Sequence, residues 1–444
     1  MNPILAYLLT FTTAYAVNIP LGYWRENTAK FSGLWFLLIH ASIPLLIYMR
    51  VHWHISPLSI PITITLAVFG QLAGSRLRRG RMTVSDREKL AQIPDLRLPK
   101  TAAASDCDVT VVLLNMGGPK TNADVKEFLH RIFLDPLILR FPLSKLLQPF
   151  FAWLIVTLRW KATAKRYEEI GGGSPIYPST EAQVQALSDE LKRRGRPIDV
   201  TYSFNYSEPL PDTVVKHLSA DKKTHILPLS LYPHYSLATT GSNMKYLREA
   251  ARAGYPELQF LSAGDYSLHP GYIQALADRV GEQLKEGESL DDFYLLFSAH
   301  GLPLYFLTEG DPYPFLIAQT AGAVLARLGR DKNWALSYQS AVGPLQWLKP
   351  STDDIISALA RRGIKKLLVV PVSFVTDHIE TLCEIDIEYR RQAEGEGITD
   401  FRMTRAVESH PDFIRALADT VERALPAGDE DKHFPQLLVR REPS

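Results

Sequence analysis

Three carboxylates fall four residues apart in the run VTDHIETLCEIDIEY, at Glu380, Glu384 and Glu388. On an α-helix that spacing stacks them along one face, where like charges repel by roughly 0.2–0.5 kcal/mol per pair. Such a stack predicts a cation among the side chains. Asp377 and His378 stand at the mouth of the same segment, just after the apolar run KLLVVPVSF. Strand ends of that kind are where open α/β sheets place their ligands. A solvated acidic face partnered by Arg390 and Arg391 is the plainer alternative. His300 follows another apolar run, FYLLFSA, and precedes Gly301, so its imidazole is expected to project from a strand end into a cleft. An imidazole across a pocket from a carboxylate suits proton abstraction as well as ferrous binding.

The elements that must hold these groups are legible as short apolar runs. VTVVLLN, IDVTYSF, THILPLSL, FYLLFSA, WALSYQS, KLLVVPVSF and FRMTRA alternate with helical patterns such as EAQVQALSDELKRRG and FLIAQTAGAVLARLG. This alternation predicts βαβ units, hence an α/β fold with parallel sheets. The chain also resembles itself. ILPLSLYPHYSLATT and VVPVSFVTDHIETLC share strand, Pro, apolar, Ser, apolar, with a His following Pro228 at 234 and Pro371 at 378. Two similar Rossmann-like domains are therefore expected, over residues 107–267 and 268–426, facing a shared cleft. The imidazole and the acidic ladder are expected to come from separate halves.

Ahead of them, the stretches 3–23, 31–49 and 55–75 carry no charged residue, and each is about long enough to cross a bilayer. Residues 1–82 thus read as an all-α transmembrane unit of about three helices, 83–106 as a polar linker and 427–444 as a tail. The first loop and the exit, with Arg25, Lys30, Arg76, Arg78, Arg79 and Arg81, share one side; the second loop offers only Arg50. That bias puts the exit in the cytoplasm and predicts a multi-pass protein of the cell inner membrane. Past residue 82 the chain has 42 basic against 47 acidic residues, which argues against nucleic-acid binding. Cys107 and Cys383 are the only cysteines, too few for a thiolate cage. The apolar stretch 132–160 is divided by prolines into pieces too short to span a bilayer, and is either ordinary core or a lip that touches lipid.

Six blocks in this order resemble ferrochelatases: LLNMGGPKTNADVKEFL, YEEIGGGSPI, LPLSLYPHYSLATTGS, LLFSAHGLPLYFLTEGDPYP, YQSAVGPLQWLKPST and VTDHIETLCEIDIEY. The resemblance covers about residues 105–425 and implies a chelatase-type fold and insertion of ferrous iron into protoporphyrin IX, the last step of haem biosynthesis. It implies that His300 and Glu380 contact the metal and the pyrrole nitrogens, with Asp377, Glu384 and Glu388 on the metal's approach. His269 and Asp419 match a further pair, expected to hold the second domain or to assist proton removal. Met116, Arg159, Tyr167 and Ser174 match porphyrin-contacting positions, and Gly171, Gly172 and Gly173 permit close approach to a flat ligand or cap a helix. Asn205 and Ala341 depart from the pattern by standing where many members carry a basic residue. No iron–sulfur cluster or other prosthetic group is expected, since the tail has no cysteine. Iron is a substrate, membrane lipid a partner, and an upstream porphyrin-producing enzyme a candidate donor. Rival readings are a chelatase of coproporphyrin or sirohydrochlorin, and a non-catalytic haem- or porphyrin-binding membrane protein.

Overall fold

A computed structural model of the chain describes residues 3–25, 33–80, 106–136, 138, 144–343 and 345–425. The linker expected over 83–106 lies outside them save for Asp106, as does the tail over 427–444. The described chain divides into two compact units, one holding the N-terminal helices together with residues 138–153, the other the rest.

The N-terminal unit contains α1 (Pro3–Arg25), α2 (Gly33–His40), α3 (Ile43–His52) and α4 (Ile60–Gly80). Among the described residues one helix, Leu5–Arg25, is long and apolar enough to cross a membrane. The expectation of three such spans is corrected here. The second stretch is interrupted at Ala41–Ser42, where Pro44 has no amide to give the His40 carbonyl, and the apolar part of α4 ends at Gly74. α1 and α4 nevertheless pack closely. A Cβ on Gly74 would lie 1.9 Å from the Ile19 carbonyl oxygen, and one on Gly70 2.2 Å from that of Tyr15. Polar groups are turned inward: Asn18 Oδ1 accepts from Gln71 Nε2 at 3.0 Å and from Ser42 Oγ at 3.2 Å. Leu58 and Val51 point outward, 88% and 71% exposed.

In the larger unit the first sheet runs in the order β2-β1-β3-β4, built from β1 (Val109–Asn115), β2 (Asp199–Phe204), β3 (His225–Ser230) and β4 (Gln259–Phe260). The second repeats that order as β6-β5-β7-β8, from β5 (Tyr294–His300), β6 (Trp334–Gln339), β7 (Lys366–Pro371) and β8 (Asp400–Met403). All pairings are parallel. β1 is buried along its whole length, as a strand covered on both faces must be, and this explains its unbroken apolar run. β4, at two residues, is too short to carry a pattern and is absent from the sequence reading.

α5 (Val125–Leu134), α6 (Ser144–Glu169), α7 (Ile176–Arg193), α8 (Pro211–Ala220), α9 (Ser242–Gly254) and α10 (Pro270–Gly281) follow the first-sheet strands. α11 (Leu304–Thr308), α12 (Tyr313–Arg327), α13 (Thr352–Arg361), a π-helix (Ile379–Tyr389), α14 (Arg390–Gly395) and α15 (Pro411–Ala424) follow those of the second. Pro149 does not break α6 into pieces, contrary to the sequence expectation. It sits near the start, so the amide it lacks would have bonded only a first-turn carbonyl, and the helix continues for 26 residues in all.

Each repeat of the strand order closes with a helix, α10 after the first sheet, beyond residue 267, and α15 after the second; α10 packs on α12 of the second repeat, and α15 on α7 and β3 of the first. Where α10 and α15 meet, two histidines make mirrored contacts. His269 caps α10 by accepting from Gly271 N at 3.1 Å and points Nε2 at Asp419 of α15, 3.1 Å away. His410 caps α15 by accepting from Asp412 N at 3.3 Å and points Nε2 at Asp278 of α10, at 3.4 Å.

His234, in the loop after β3, also ties the halves together. Its Nε2 shares a 2.8 Å hydrogen bond with Thr320 Oγ1 of α12, and burial pushes the imidazole down to about 3. A histidine that binds its proton less well folded than unfolded contributes fully above its ordinary value near 6.5, and loses that contribution as the pH falls toward 3. Between pH 6.5 and 5 this group should cost roughly 2 kcal/mol of stability. A pH series of denaturant midpoints should show the slope flattened in His234→Gln; an unchanged slope would assign it to other groups.

Candidate active site

β5 is hydrogen-bonded to β6 on one side and β7 on the other, and ends at His300. The register sets His300 opposite Gln339, the last residue of β6. β7 runs out through Ser373 and Phe374 to His378 and the π-helix. Short contacts fix these ends. His300 N donates to Ser373 Oγ at 2.9 Å, and the Tyr313 hydroxyl donates to the His300 carbonyl at 2.9 Å. Gln339 Nε2 donates to the Glu380 carbonyl at 2.8 Å, while its Oε1 accepts from Ser298 Oγ at 2.6 Å. The imidazole and the first carboxylate thus stand on neighbouring strand ends of one sheet. The expectation that separate halves supply them is corrected by the direct pairing of β5 with β7.

The acidic segment is a π-helix of eleven residues, not the α-helix its spacing predicts. Hydrogen bonds from i to i+5 widen each turn, so residues four apart fall short of a full turn and the carboxylates fan out. Glu380 Oε2 lies 2.8 Å from His378 Nδ1. Glu384 accepts from Ser340 N at 2.8 Å, Ser340 Oγ at 2.5 Å and the Tyr389 hydroxyl at 3.0 Å. Glu388 meets Arg166 of α6 at 2.5 Å. Arg390, the expected partner of an exposed acidic face, pairs with Asp386 instead.

Burial by itself would raise the Glu380 carboxyl, yet His378 beside it holds it down at about 2. Burial pushes the His300 imidazole below its ordinary value, against the pull of Glu380 and Glu384. The result at neutral pH is an ionised carboxylate beside an uncharged imidazole. His300 Nδ1 is buried and has no hydrogen-bond partner among the described residues. An orphaned polar atom of this kind costs about 1–3 kcal/mol.

The first half contributes the facing wall. Met116 follows β1 and is partly exposed. The Tyr232 phenol contacts its backbone and is pushed up by burial and then by the charge of Glu380. Tyr167, 3% exposed on α6, is raised by the same two causes in the same order, and Ile379 of the π-helix borders the cluster it shares with Val125 and Ala164. Ser174 is buried, with its amide donating to the Pro119 carbonyl at 2.8 Å and its hydroxyl accepting from Ile176 N at 3.4 Å. Gly171 and Gly172, at φ +109° and +88°, close the C-terminus of α6 below Tyr167. A Cβ on Gly173 would lie 2.1 Å from the Lys120 carbonyl oxygen. The Arg159 guanidinium is exposed on α6, with no ion pair among the described residues.

Three expected members stand apart. Asp377 accepts from Thr381 Oγ1 at 3.0 Å and Ala406 N at 3.3 Å, and lines a separate open cavity of about 530 Å³ with Leu382, Asp386 and Arg402. His269 and Asp419 pair with each other but share no partner with His300 or Glu380. Sequence reasoning passed over Tyr232, Ser340, Tyr389 and Arg166 as site residues, and His410 with Asp278 as a second His–Asp pair. The pair had a signal: HPGYIQALAD and HPDFIRALAD recur at residues 269–278 and 410–419. The others are recognisable only from their partners.

Replacing Glu384 by Leu strands the Ser340 amide and hydroxyl and the Tyr389 hydroxyl. A loss of about 2 kcal/mol is expected, read as a lower denaturant midpoint; a loss below half of that would show these contacts to be dispensable.

The ferrochelatase family model matches residues 108–425. The ferrochelatase of Synechocystis sp. is 44% identical over 324 residues, 71% of this chain and 82% of that protein. That of Gloeobacter violaceus is 43% identical over 317 residues, 71% of this chain and 97% of that protein. The ferrochelatase of Picosynechococcus sp. is 41% identical over 324 residues, covering 71% and 83%. A match across both sheets and both halves, at this identity, means that the chain belongs to the ferrochelatase family.

Proposed function

We infer that the chain is a lyase that inserts ferrous iron into protoporphyrin IX, forming protohaem and releasing two protons, the terminal step of haem biosynthesis. The observation that carries the residue roles is the unpartnered Nδ1 of an uncharged His300 beside an ionised Glu380. A carboxyl held near 2 is a weak base but a persistent anion. It suits drawing the cation to the macrocycle centre, with Glu384 and Glu388 behind it along the π-helix. A neutral imidazole can accept a pyrrole proton and pass it on, which makes His300 the base. Met116, Tyr167 and Tyr232 would form the wall against the ring, and Arg159 would meet a propionate. His269 and Asp419 act in this reading by holding α10 to α15. Asp377 braces the start of the π-helix. Two cysteines are too few to supply four thiolates from this chain, so this reading includes no iron–sulfur cluster. The rival readings as another tetrapyrrole chelatase or a non-catalytic binder are set aside by the family match and by the retained base and anion.

The N-terminal unit is best read as a membrane unit of the cell inner membrane anchored by α1, with the chain beyond it on the cytoplasmic side. Support comes from the length of α1, from polar side chains turned inward while Leu58, Val51, Phe69 and Ile64 face out, and from the basic residues flanking the same side. Exposed Phe150, Trp153 and Leu158 on α6 would extend the lipid contact. An apolar porphyrin would then arrive from the bilayer or from an enzyme that makes it there.

Glu380→Gln should lower insertion at least 100-fold while porphyrin still binds, followed as loss of protoporphyrin fluorescence on adding ferrous or zinc ion. Retained turnover would remove Glu380 from the chemistry. After alkaline carbonate washing, the full-length chain should stay in the membrane pellet; its release into the supernatant would sink the membrane reading.

A further inference from the structure

The first half holds a cavity of about 340 Å³ that the proposed reaction does not use. It lies past the C-terminal ends of β3 and β4, beside the first turns of α9, which is a ligand-bearing position in sheets of this class. Most of its wall is hydrocarbon, from residues such as Leu237, Met244 and Leu261. Two cations interrupt that wall. Lys245 and Arg248 are three residues apart on α9, both partly buried, and neither has an ion-pair or hydrogen-bond partner among the described residues. Only ring faces attend them: Lys245 Nζ lies 5.1 Å from the Tyr246 ring centroid, and the Arg248 guanidinium 5.8 Å from that of Phe260. The carboxylate on the wall, Asp265, is already engaged, accepting from Ser267 N at 2.6 Å and Ser267 Oγ at 3.0 Å.

Tyr266 also lines the cavity, with its ring packed against Tyr272 and Phe413. Unpaired cations and apolar walls define the complement they lack.

We propose that this cavity is a binding site for a small organic anion with an apolar body, its charged group held by Lys245 and Arg248. The site is separate from the one where metal is inserted, although Tyr232 borders both.

The test uses the full-length protein in detergent with 4-fluorobenzoate as probe, followed by fluorine NMR line broadening. Saturable binding is expected, weakened about tenfold in the double variant Lys245→Gln/Arg248→Gln. Saturating protoporphyrin should not displace the probe, and neutral 4-fluorotoluene should not compete. Metal insertion by the double variant should stay within about twofold of the parent, which establishes that it is folded. Unsaturable binding, equal affinity in the double variant, or displacement by protoporphyrin would each overturn the proposal.

Discussion

The parallel pairing of β5 with both β6 and β7 is the constraint on which the site depends. Hydrogen-bonded strands lie about 4.8 Å apart, so three adjacent strand ends deliver three side-chain sets to one place without help from loop order. His300 closes β5, Gln339 closes β6, and the chain leaving β7 begins the π-helix. Gln339 then joins the three by donating to the Glu380 carbonyl while accepting from Ser298 on β5. Moving any one strand by a residue would point its side chain to the other face of the sheet and dismantle the group.

Around that scaffold the charges are set by burial and compensated locally. An ionised carboxylate away from water is costly unless paired, and Glu380 is paired with His378. His300 receives no such compensation, and its unsatisfied Nδ1 is a standing cost in the protein alone. Proteins tend to carry such violations where function needs them. The remaining carboxylates are fixed by neutral donors in one case, Ser340 and Tyr389, and by a cation in the other, Arg166.

The two halves share strand order, strand direction and a closing helix that begins His-Pro, and they part company at the strand ends. The shared features are mechanical. Each closing helix lies on the opposite half, and the two His–Asp contacts make that exchange reciprocal. The divergence is chemical. After β3 the loop histidine, His234, is buried against Thr320, whereas after β7 its counterpart His378 meets Glu380. One half thus holds His300 and the His378–Glu380 pair, and the other Met116, Tyr167 and Tyr232.

The sequence by itself determined that α/β units repeat in two halves, that apolar helices precede them, and that His300 and the acidic run follow strand ends. Those conclusions rest on local periodicity, with apolar runs for covered strands and spaced carboxylates for a polar face, and on short motifs read in order. Tertiary structure decided the rest: that β5 and β7 are neighbours, that the closing helices are exchanged, that α6 runs through Pro149, and that the acidic run winds as a π-helix. The π winding shows why. α- and π-helices differ by one residue in hydrogen-bond register and place nearly the same local demands on composition, so longer-range partners discriminate between them. Here those partners are Ser340 and Arg166, 44 and 222 residues away along the chain, and no window of sequence contains both them and the carboxylates they hold.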